Sequence, residues 1–448
     1  MIPDELVKDA QRMLDIVEDQ NFIRVLGHYD ADGVSSAAVV SLALQRLNIS
    51  FQTRILPSLS QKGVETHVKG ADSCVILTDL GSSLLRELDQ ITSHPIIVID
   101  HHAMPPGVKT EHIVNLNAYN YGLDGATEVS SSTLAATISI IWDEKNWSLI
   151  KPGLIGAIGD KETVIAPSGL NKYLIEEAKK QKIFEERVEL ALDPAPLVDS
   201  LAYAIDPHFP GIRGIEGASR FLKNAGINPG ATFSDLDRSE QRKLASLLIL
   251  DMFAAGAEPE AIRTSVRRRY FYPRENMYAD YLARVVDSCG RSGVPEVGLG
   301  LLCGSLSLRT DAESVTMEFK RKVNKGIEYL KSGGITAMRS LYYFQWDDPA
   351  VSGILAEVAT LYLGRHDKPV FGISPSGTSL KISSRTTRSM VAKNVNLGEV
   401  CRGAAERCGG RGGGHNIAAG ATIPASAMEV FLSHAERILE EQVSRQKP

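Results

Sequence analysis

The stretch Pro95-Ile96-Ile97-Val98-Ile99-Asp100-His101-His102 decides how the chain is read. An apolar run of this length, closed by three adjacent ionisable groups, is the pattern of a strand buried on both faces that delivers chemistry at its carboxyl end. Taken alone, Asp100 as a turn cap with two solvated histidines explains the triplet equally well. The neighbouring sequence repeats the unit. Phe22 to Leu26 reads as a strand, Gly27-His28-Tyr29-Asp30-Ala31-Asp32-Gly33 interrupts it, and Val34 to Leu47 follows as a helical segment. Phe51 to Leu56 reads as a strand, and Cys74 to Leu77 as a buried one ending in Thr78-Asp79. Strands alternating with helices predict an α/β fold with an N-terminal parallel sheet covered on both faces. Ligands bind such sheets beyond the carboxyl ends of the strands, where Asp30, Asp32, Asp79 and the triplet fall.

The totals set bounds. In 448 residues, 43% hydrophobic and 23% charged, there is room for two or three domains. A net charge of -5 argues against a surface devoted to nucleic acid as a whole, while allowing a local basic groove. Five cysteines without zinc-site spacing read as reduced thiols, and neither a leader pattern nor a long uncharged apolar run is present. The expectation is a cytoplasmic protein with no membrane association.

Residues 5 to 18 form an amphipathic helical pattern ahead of the first strand. Val129-Ser130-Ser131-Ser132-Thr133-Leu134 opens a helix reaching about Trp142, and Leu154 to Asp160 is a small-residue run that fits helix or strand. From about residue 170 the chain turns helical and charged, with prolines at 194, 196, 207 and 210 marking a connector. Residues 234 to 290 read as helices, Val294 to Ser307 as strand-like, and Asp311 to Leu330 as a long helix. Arg267-Arg268-Arg269 before Tyr270, Phe271 and Tyr272 fits a solvated helix end beside packed aromatics, or a stacking platform for a single strand. Past Gly333-Gly334 comes a smaller C-terminal α/β unit: Leu341 to Gln345 as strand, Gly353 to Leu363 as helix, Val370 to Ile373 and Ser379 to Ser383 as strands. The boundaries expected are 1–195, 196–332 for a mostly helical middle region with its connecting helix, and 333–448.

Four carboxylates at one crevice, Asp30, Asp32, Asp79 and Asp160, would repel strongly unless cations neutralise them. With His28 and His101 beside them, two divalent ions are the simplest resolution, Mn²⁺ preferred and Mg²⁺ possible on ligand type. Such a pair activates water and stabilises displacement at phosphorus. The glycine run Cys408-Gly-Gly-Arg411-Gly412-Gly413-Gly414-His415 fits either a linker or a backbone nest for phosphate, with Arg385 and Lys381 supplying charge. Thr386, Thr387 and Arg388 fit that surface or a plain solvated face.

Taken in order, His28-Tyr-Asp-Ala-Asp-Gly33, Thr78-Asp-Leu80, Asp100-His-His102 and Gly159-Asp160 resemble the four motifs of the DHH phosphoesterase superfamily. Lys381-Ile-Ser-Ser-Arg385 and Gly412-Gly-Gly-His415 resemble its DHH-associated domain. The resemblance implies a DHH domain with the metal site over 1–195, a DHH-associated substrate-binding domain over 333–448, and two lobes closing on a nucleic-acid end. It implies that Asp30 and Asp79 hold one ion with help from His28, and that Asp32, Asp79, His101 and Asp160 hold the other. By the same resemblance His102 and Ser130 to Ser132 contact the scissile phosphate, Asp100 orients the histidines, and Arg385, Arg411, Gly412, Gly413, Gly414 and His415 hold the substrate. The layout is similar to archaeal RecJ-like nucleases of DNA repair and replication, which implies an exonuclease on single-stranded DNA or RNA. Two departures stand out: bacterial RecJ usually has Asp where His28 stands, and about 30 residues after His415 leave no room for its OB-fold. The alternatives are a nanoRNase-like or cyclic-dinucleotide phosphodiesterase of the same fold, and a replisome scaffold associated with the GINS complex. Oligomeric state is not legible.

Overall fold

Five short strands in the first half of the chain, β1 (Phe22–His28), β2 (Ser50–Leu56), β3 (Cys74–Thr78), β4 (Ile96–Asp100) and β5 (Val114–Asn117), pair in the order β2-β1-β3-β4-β5. Each neighbouring pair is parallel. The computed structural model in which they are seen describes residues 2–105, 107–163 and 166–444. β3 and β4 are buried along their whole length because successive side chains enter different cores. Ile76, Ile97 and Ile99 pack with residues of the helices Asp4–Glu18, Ala31–Arg46 and Ser131–Trp142, whereas Val75, Leu77 and Val98 pack with Val64, Val68, Leu85 and Leu88. Each large aliphatic side chain buried this way contributes about 1.5–3 kcal/mol.

The ambiguous run ending at Asp160 is a helix, Ile150–Gly159. Its glycines set how closely it packs. Gly153, Gly156 and Gly159 recur every third residue and so share a face. A Cβ on them would lie 2.9 Å from Ala136 Cβ, 2.2 Å from Ser132 Oγ and 2.5 Å from Ala31 Cβ. The bare stripe lets this helix lie directly against the helices that carry Ser132 and Ala31.

The chain divides into two units, Met1–Glu189 with Arg268–Met317, and Leu190–Arg267 with Glu318–Pro448. Residues between the two α/β bodies are therefore shared out between them. Val294 to Ser307 is not a strand: Pro295 opens the helix Pro295–Leu302, where its fixed φ and missing N–H suit the first turn. Within the segment read as all-helical, β7 (Val266–Tyr272) and β8 (Met277–Tyr278) join β6 (Glu185–Leu190) in a three-stranded sheet. The arginine run lies on β7, so it is neither a helix end nor a stacking platform. Arg269 is buried, donates to Asp280 at 3.0 Å and lies 3.8 Å from the Tyr278 ring centre, while Tyr270 and Tyr272 belong to the core.

In the second unit β9 (Thr336–Ala337), β10 (Tyr342–Gln345), β11 (Val370–Ser376), β12 (Ser379–Arg385), β13 (Arg411–Gly414) and β14 (Ala418–Pro424) form a mixed sheet ordered β13-β14-β12-β11-β10-β9. The glycine run is thus an edge strand, neither linker nor folded nest. A Cβ on Gly412 would lie 2.3 Å from the Cys401 carbonyl oxygen, so only glycine lets β13 sit against the helix Leu397–Glu406. Thr386 and Thr387 are buried, the latter capping a short helix, so neither belongs to a solvated face, whereas Arg388 is exposed and pairs with Glu260 at 3.0 Å. Among the described residues no helix is long and apolar enough to cross a membrane.

His208 gives the second unit a pH dependence. Its ring is 4% exposed, Nδ1 donates to the Ala204 carbonyl at 2.9 Å, and Nε2 has no hydrogen-bond partner among the described residues. Burial pushes its pKa down to about 4, against an ordinary 6.5. The unfolded chain binds the proton first, so this contribution is complete above about pH 6.5 and is lost as the pH falls toward 4. At pH 5 the loss is about 2 kcal/mol. Denaturation midpoints at pH 7.5 and about pH 5 should differ by correspondingly less in His208→Phe than in the native chain.

Candidate metal centre

Three adjacent strands converge on one edge. β1 ends at His28, and the helix Ala31–Arg46 begins almost at once, with Asp30 as its cap accepting from the Gly33 N–H at 3.0 Å and Asp32 in its first turn. β3 is followed by Asp79 at φ +58°, a left-handed conformation that aspartate tolerates better than most residues. β4 ends at Asp100, so His101 and His102 emerge beside Asp79. Asp160 arrives from elsewhere, as the residue that ends the glycine-striped helix.

Asp79 is the shared element. Its Oδ2 lies 3.2 Å from His28 Nδ1, which is also 2.8 Å from Asp30 Oδ2. Its Oδ1 lies 3.4 Å from His101 Nε2 and 3.6 Å from His102 Nδ1. His101 Nε2 is in turn 3.4 Å from Asp160 and 3.9 Å from Asp32. The ligand atoms gather into three sets, each lying within 4.8 Å: His28, Asp30 and Asp79; Asp32, His101 and Asp160; Asp79, His101 and His102. Carboxylate and imidazole donors without thiolate suit Mn²⁺ or Mg²⁺ better than zinc.

The electrostatics state the same need for positive charge. Asp32 is pushed up to about 7, first by burial and then by repulsion from Asp79. Asp160 is also held well above the carboxylate range, by burial and then by Asp32. Burial presses His28 toward its neutral form, but Asp30 and Asp79 outweigh it and hold the imidazole well above its usual value. For His101 the contest is the same, with Asp79 and Glu162 prevailing over burial. Without a cation, protons must do the neutralising.

Asp100 has a separate task. Its Oδ1 accepts from the backbone N–H groups of His101 at 2.8 Å and His102 at 3.1 Å and lies 2.8 Å from His102 Nδ1, while its Oδ2 accepts from the Ser82 N–H at 3.0 Å. Burial opposes its ionised form, yet His102 and these bonds hold its pKa well below the ordinary value. His102 is pressed down by burial and lifted by Asp100, reaching about 8.

Ser130, Ser131 and Ser132 are fully buried at the start of the helix Ser131–Trp142. The backbone N–H groups of Ser131 and Ser132 donate to Asp32 at 2.8 and 3.1 Å, Ser132 Oγ also donates to it, and Ser131 Oγ donates to Asp79 at 3.0 Å. Ser130 caps the helix with Thr133. Ser131 and Ser132 thus hold carboxylates, whereas Ser130 holds the helix end. The expected substrate residues Arg385, Arg411, Gly412, Gly413, Gly414 and His415 belong to the other unit, on and beside the β13-β14-β12 edge of its sheet. There Arg385 pairs in register with Ala418, close to His415, whose N–H donates to the Ala418 carbonyl. Lys381 and Arg411 flank Thr422, four residues further along.

Motif reading misses the support for His101. Its Nδ1 lies 2.6 Å from the Gly125 carbonyl oxygen, which accepts the N–H and leaves Nε2 for the cluster. Glu162 Oε1 lies 3.4 Å from the same nitrogen, and Glu162 Oε2 accepts from Asn171 at 2.5 Å. Arg291, which pairs with Asp287 at 2.6 Å, adds positive charge beside Asp30. Nothing in the local sequence marks any of these residues.

Comparison with known proteins gives a consistent picture. A family model described as "DHH family, N-terminal domain" matches residues 22–155, and the DHHA1 domain model matches residues 340–441. An uncharacterized protein of Methanocaldococcus jannaschii is 27% identical over 458 residues, covering 98% of this chain and 100% of its own length. Among solved structures, the exonuclease RecJ bound to manganese aligns with a TM-score of 0.60 at 16% identity, covering 100% of this chain and 98% of its own. CDC45 from Entamoeba histolytica aligns with a TM-score of 0.69 at 12% identity, covering 97% of this chain and 99% of its own. At these identities the two structures share the fold.

Two measurements test the centre. Because Asp32 must lose its proton to bind a cation, Mn²⁺ affinity should rise between about pH 6 and about pH 8, with protons released; calorimetry in buffers of different ionisation enthalpy reads both, and a flat profile would mean that Asp32 is already ionised across that range. Glu162→Gln should weaken Mn²⁺ binding by about 10–100-fold with little change in melting temperature, as loss of an outer partner of a ligating histidine does.

Proposed function

The chain belongs to the DHH superfamily, and from that premise together with the donor geometry we propose that it is a two-metal-ion phosphodiesterase that hydrolyses single-stranded nucleic acid from an end. The observation that carries this reading is Asp79, whose two carboxylate oxygens face different donor sets, Oδ2 toward His28 and Asp30, Oδ1 toward His101. One carboxylate shared in this way suits two cations set close together. Bound there, the pair would lower the pKa of a water and draw charge from the phosphate oxygens.

The residues divide the remaining work. His28, Asp30 and Asp79 would hold one ion, and Asp32, Asp79, His101 and Asp160 the other. Ser131 and Ser132 keep Asp32 and Asp79 in place by donating to them. Gly125 directs the His101 proton to Nδ1 so that Nε2 can coordinate. His102, about half exposed and held through Nδ1 by Asp100, is placed to donate to a phosphate oxygen. Asp100 holds that ring in position. In the second unit Arg385, Arg411, His415 and the glycine edge strand would grip the strand being degraded, since an edge strand leaves backbone N–H groups unpaired on its outer side. Mn²⁺ is favoured over Mg²⁺ because imidazole enters both donor sets.

A second reading, action on very short oligonucleotides or cyclic dinucleotides, keeps the same centre and differs only in the grip. A third, a scaffold within a replication assembly such as one containing GINS, draws on the fold shared with CDC45. The seven-residue cluster speaks against a purely structural role, since burying repelling carboxylates serves no scaffold.

End-labelled DNA and RNA strands of matched sequence, incubated with Mn²⁺, Mg²⁺ or chelator, decide among these. Stepwise release of mononucleotides with metal and none with chelator is the expected result, and Asp79→Asn should lower the rate by about a hundredfold or more, beyond the loss typical of an outer partner. Cleavage confined to di- to tetranucleotides would establish the second reading, and near-native activity of Asp79→Asn would sink the site assignment.

A further inference from the structure

The second unit contains a cavity of about 260 Å³ that has no part in the metal centre. Its polar lining is cationic: Arg213, Lys331 and Arg365 face it, and among the described residues no acidic side chain lines it. Much of the remaining wall is apolar, from Leu330, Leu363 and the buried Tyr362. We propose that this cavity binds a small organic phosphate monoester, with the phosphate among the three cations and the carbon skeleton against the apolar wall.

Several features favour an anion here. Arg213 stands at the N-cap position of the helix Gly214–Asn224, which has no side-chain cap, so the positive end of that helix adds to the charge of the arginine. The Arg213 side chain forms no ion pair among the described residues. Arg365 lies 5.3 Å from the centre of the Tyr342 ring, a contact that positions the guanidinium without neutralising it. Lys331 is anchored, donating to the Pro210 carbonyl at 2.9 Å and to Glu328 at 3.2 Å, with a side chain only 10% exposed.

The acids nearby are already engaged. Glu328 faces Lys331, Asp251 accepts from the Gly211 N–H at 3.0 Å, and Asp206 accepts from the Tyr362 hydroxyl. Lys331 is thus already balanced, whereas Arg213 and Arg365 bring positive charge to a cavity with no lining carboxylate among the described residues, and a dianion would offset it. Arginine forks match phosphate oxygens in pairs, which makes a phosphate the natural partner. The volume selects the rest. It exceeds what a bare phosphate ion fills and leaves room for an attached sugar or nucleoside.

Calorimetric titration of the full chain with ribose 5-phosphate, AMP and inorganic phosphate tests this, in buffer containing EDTA so that binding through metal ions is absent. The organic phosphates should bind at submillimolar concentration and inorganic phosphate at least about tenfold more weakly. Arg213→Glu and Arg365→Glu change exposed positions and should each weaken binding by about tenfold or more while leaving the melting temperature unchanged. Absence of binding at millimolar concentration, or equal binding by the double charge-reversal variant, overturns the proposal. Inorganic phosphate binding as tightly as AMP overturns the assignment of the apolar wall. Because the assay contains no metal and measures no hydrolysis, its outcome is independent of the phosphodiesterase reading.

Discussion

Repulsion among Asp30, Asp32, Asp79 and Asp160 is the constraint on which the first unit turns. Four carboxylates within reach of two imidazoles are unfavourable in a folded chain unless something fixes them in place and something else neutralises them. The fold supplies the first condition. Two N–H groups at the start of the helix Ser131–Trp142 are aimed at Asp32, and that helix end also offers the positive pole of its dipole. The strand order puts β1, β3 and β4 side by side, so that three acidic turns meet at a single edge. The second condition falls to protons or to cations, and burial together with mutual repulsion raises the pKa of Asp32 and Asp160 accordingly.

Packing protects this arrangement at positions that carry no charge. A Cβ on Gly156 would lie 2.5 Å from Asp32 Oδ1, and one on Gly125 would lie 1.9 Å from the His101 carbonyl oxygen. A Cβ on Gly290 would lie 1.7 Å from the Tyr29 carbonyl oxygen, so the helix Ala279–Arg291 also depends on glycine to approach the turn between His28 and Asp30. The site is therefore assembled from segments far apart in the chain and from residues whose contribution is the absence of a side chain.

Much of the first unit was legible because its strands are short, apolar and fully buried, and each ends abruptly in an acid. That pattern survives without knowledge of any partner element. Legibility failed where two structures share one pattern. Arg267 to Tyr272 reads as a basic helix end because its charges suggest solvent, yet the chain turns back after β7 so that Asp280 and the ring of Tyr278 take in Arg269. Val294 to Ser307 has the apolar content of a strand, and only the proline at its first turn hints at the helix it forms. Nothing near Ser131 and Ser132 in the sequence shows that they donate to Asp32 and Asp79, which lie 52 to 100 residues away.

The amino-acid order by itself determined which groups could do chemistry: the Asp and His residues at the ends of apolar runs, and the expectation of divalent cations that follows from their charge. It determined as well that the two α/β bodies are separate in the chain. Tertiary structure alone decided that Asp79 divides its oxygens between two donor sets, that Glu162 and Gly125 stand behind His101, and that the glycine run is an edge strand. These depend on distances between residues remote in sequence, and such distances arise only when strand order and helix packing bring the residues together.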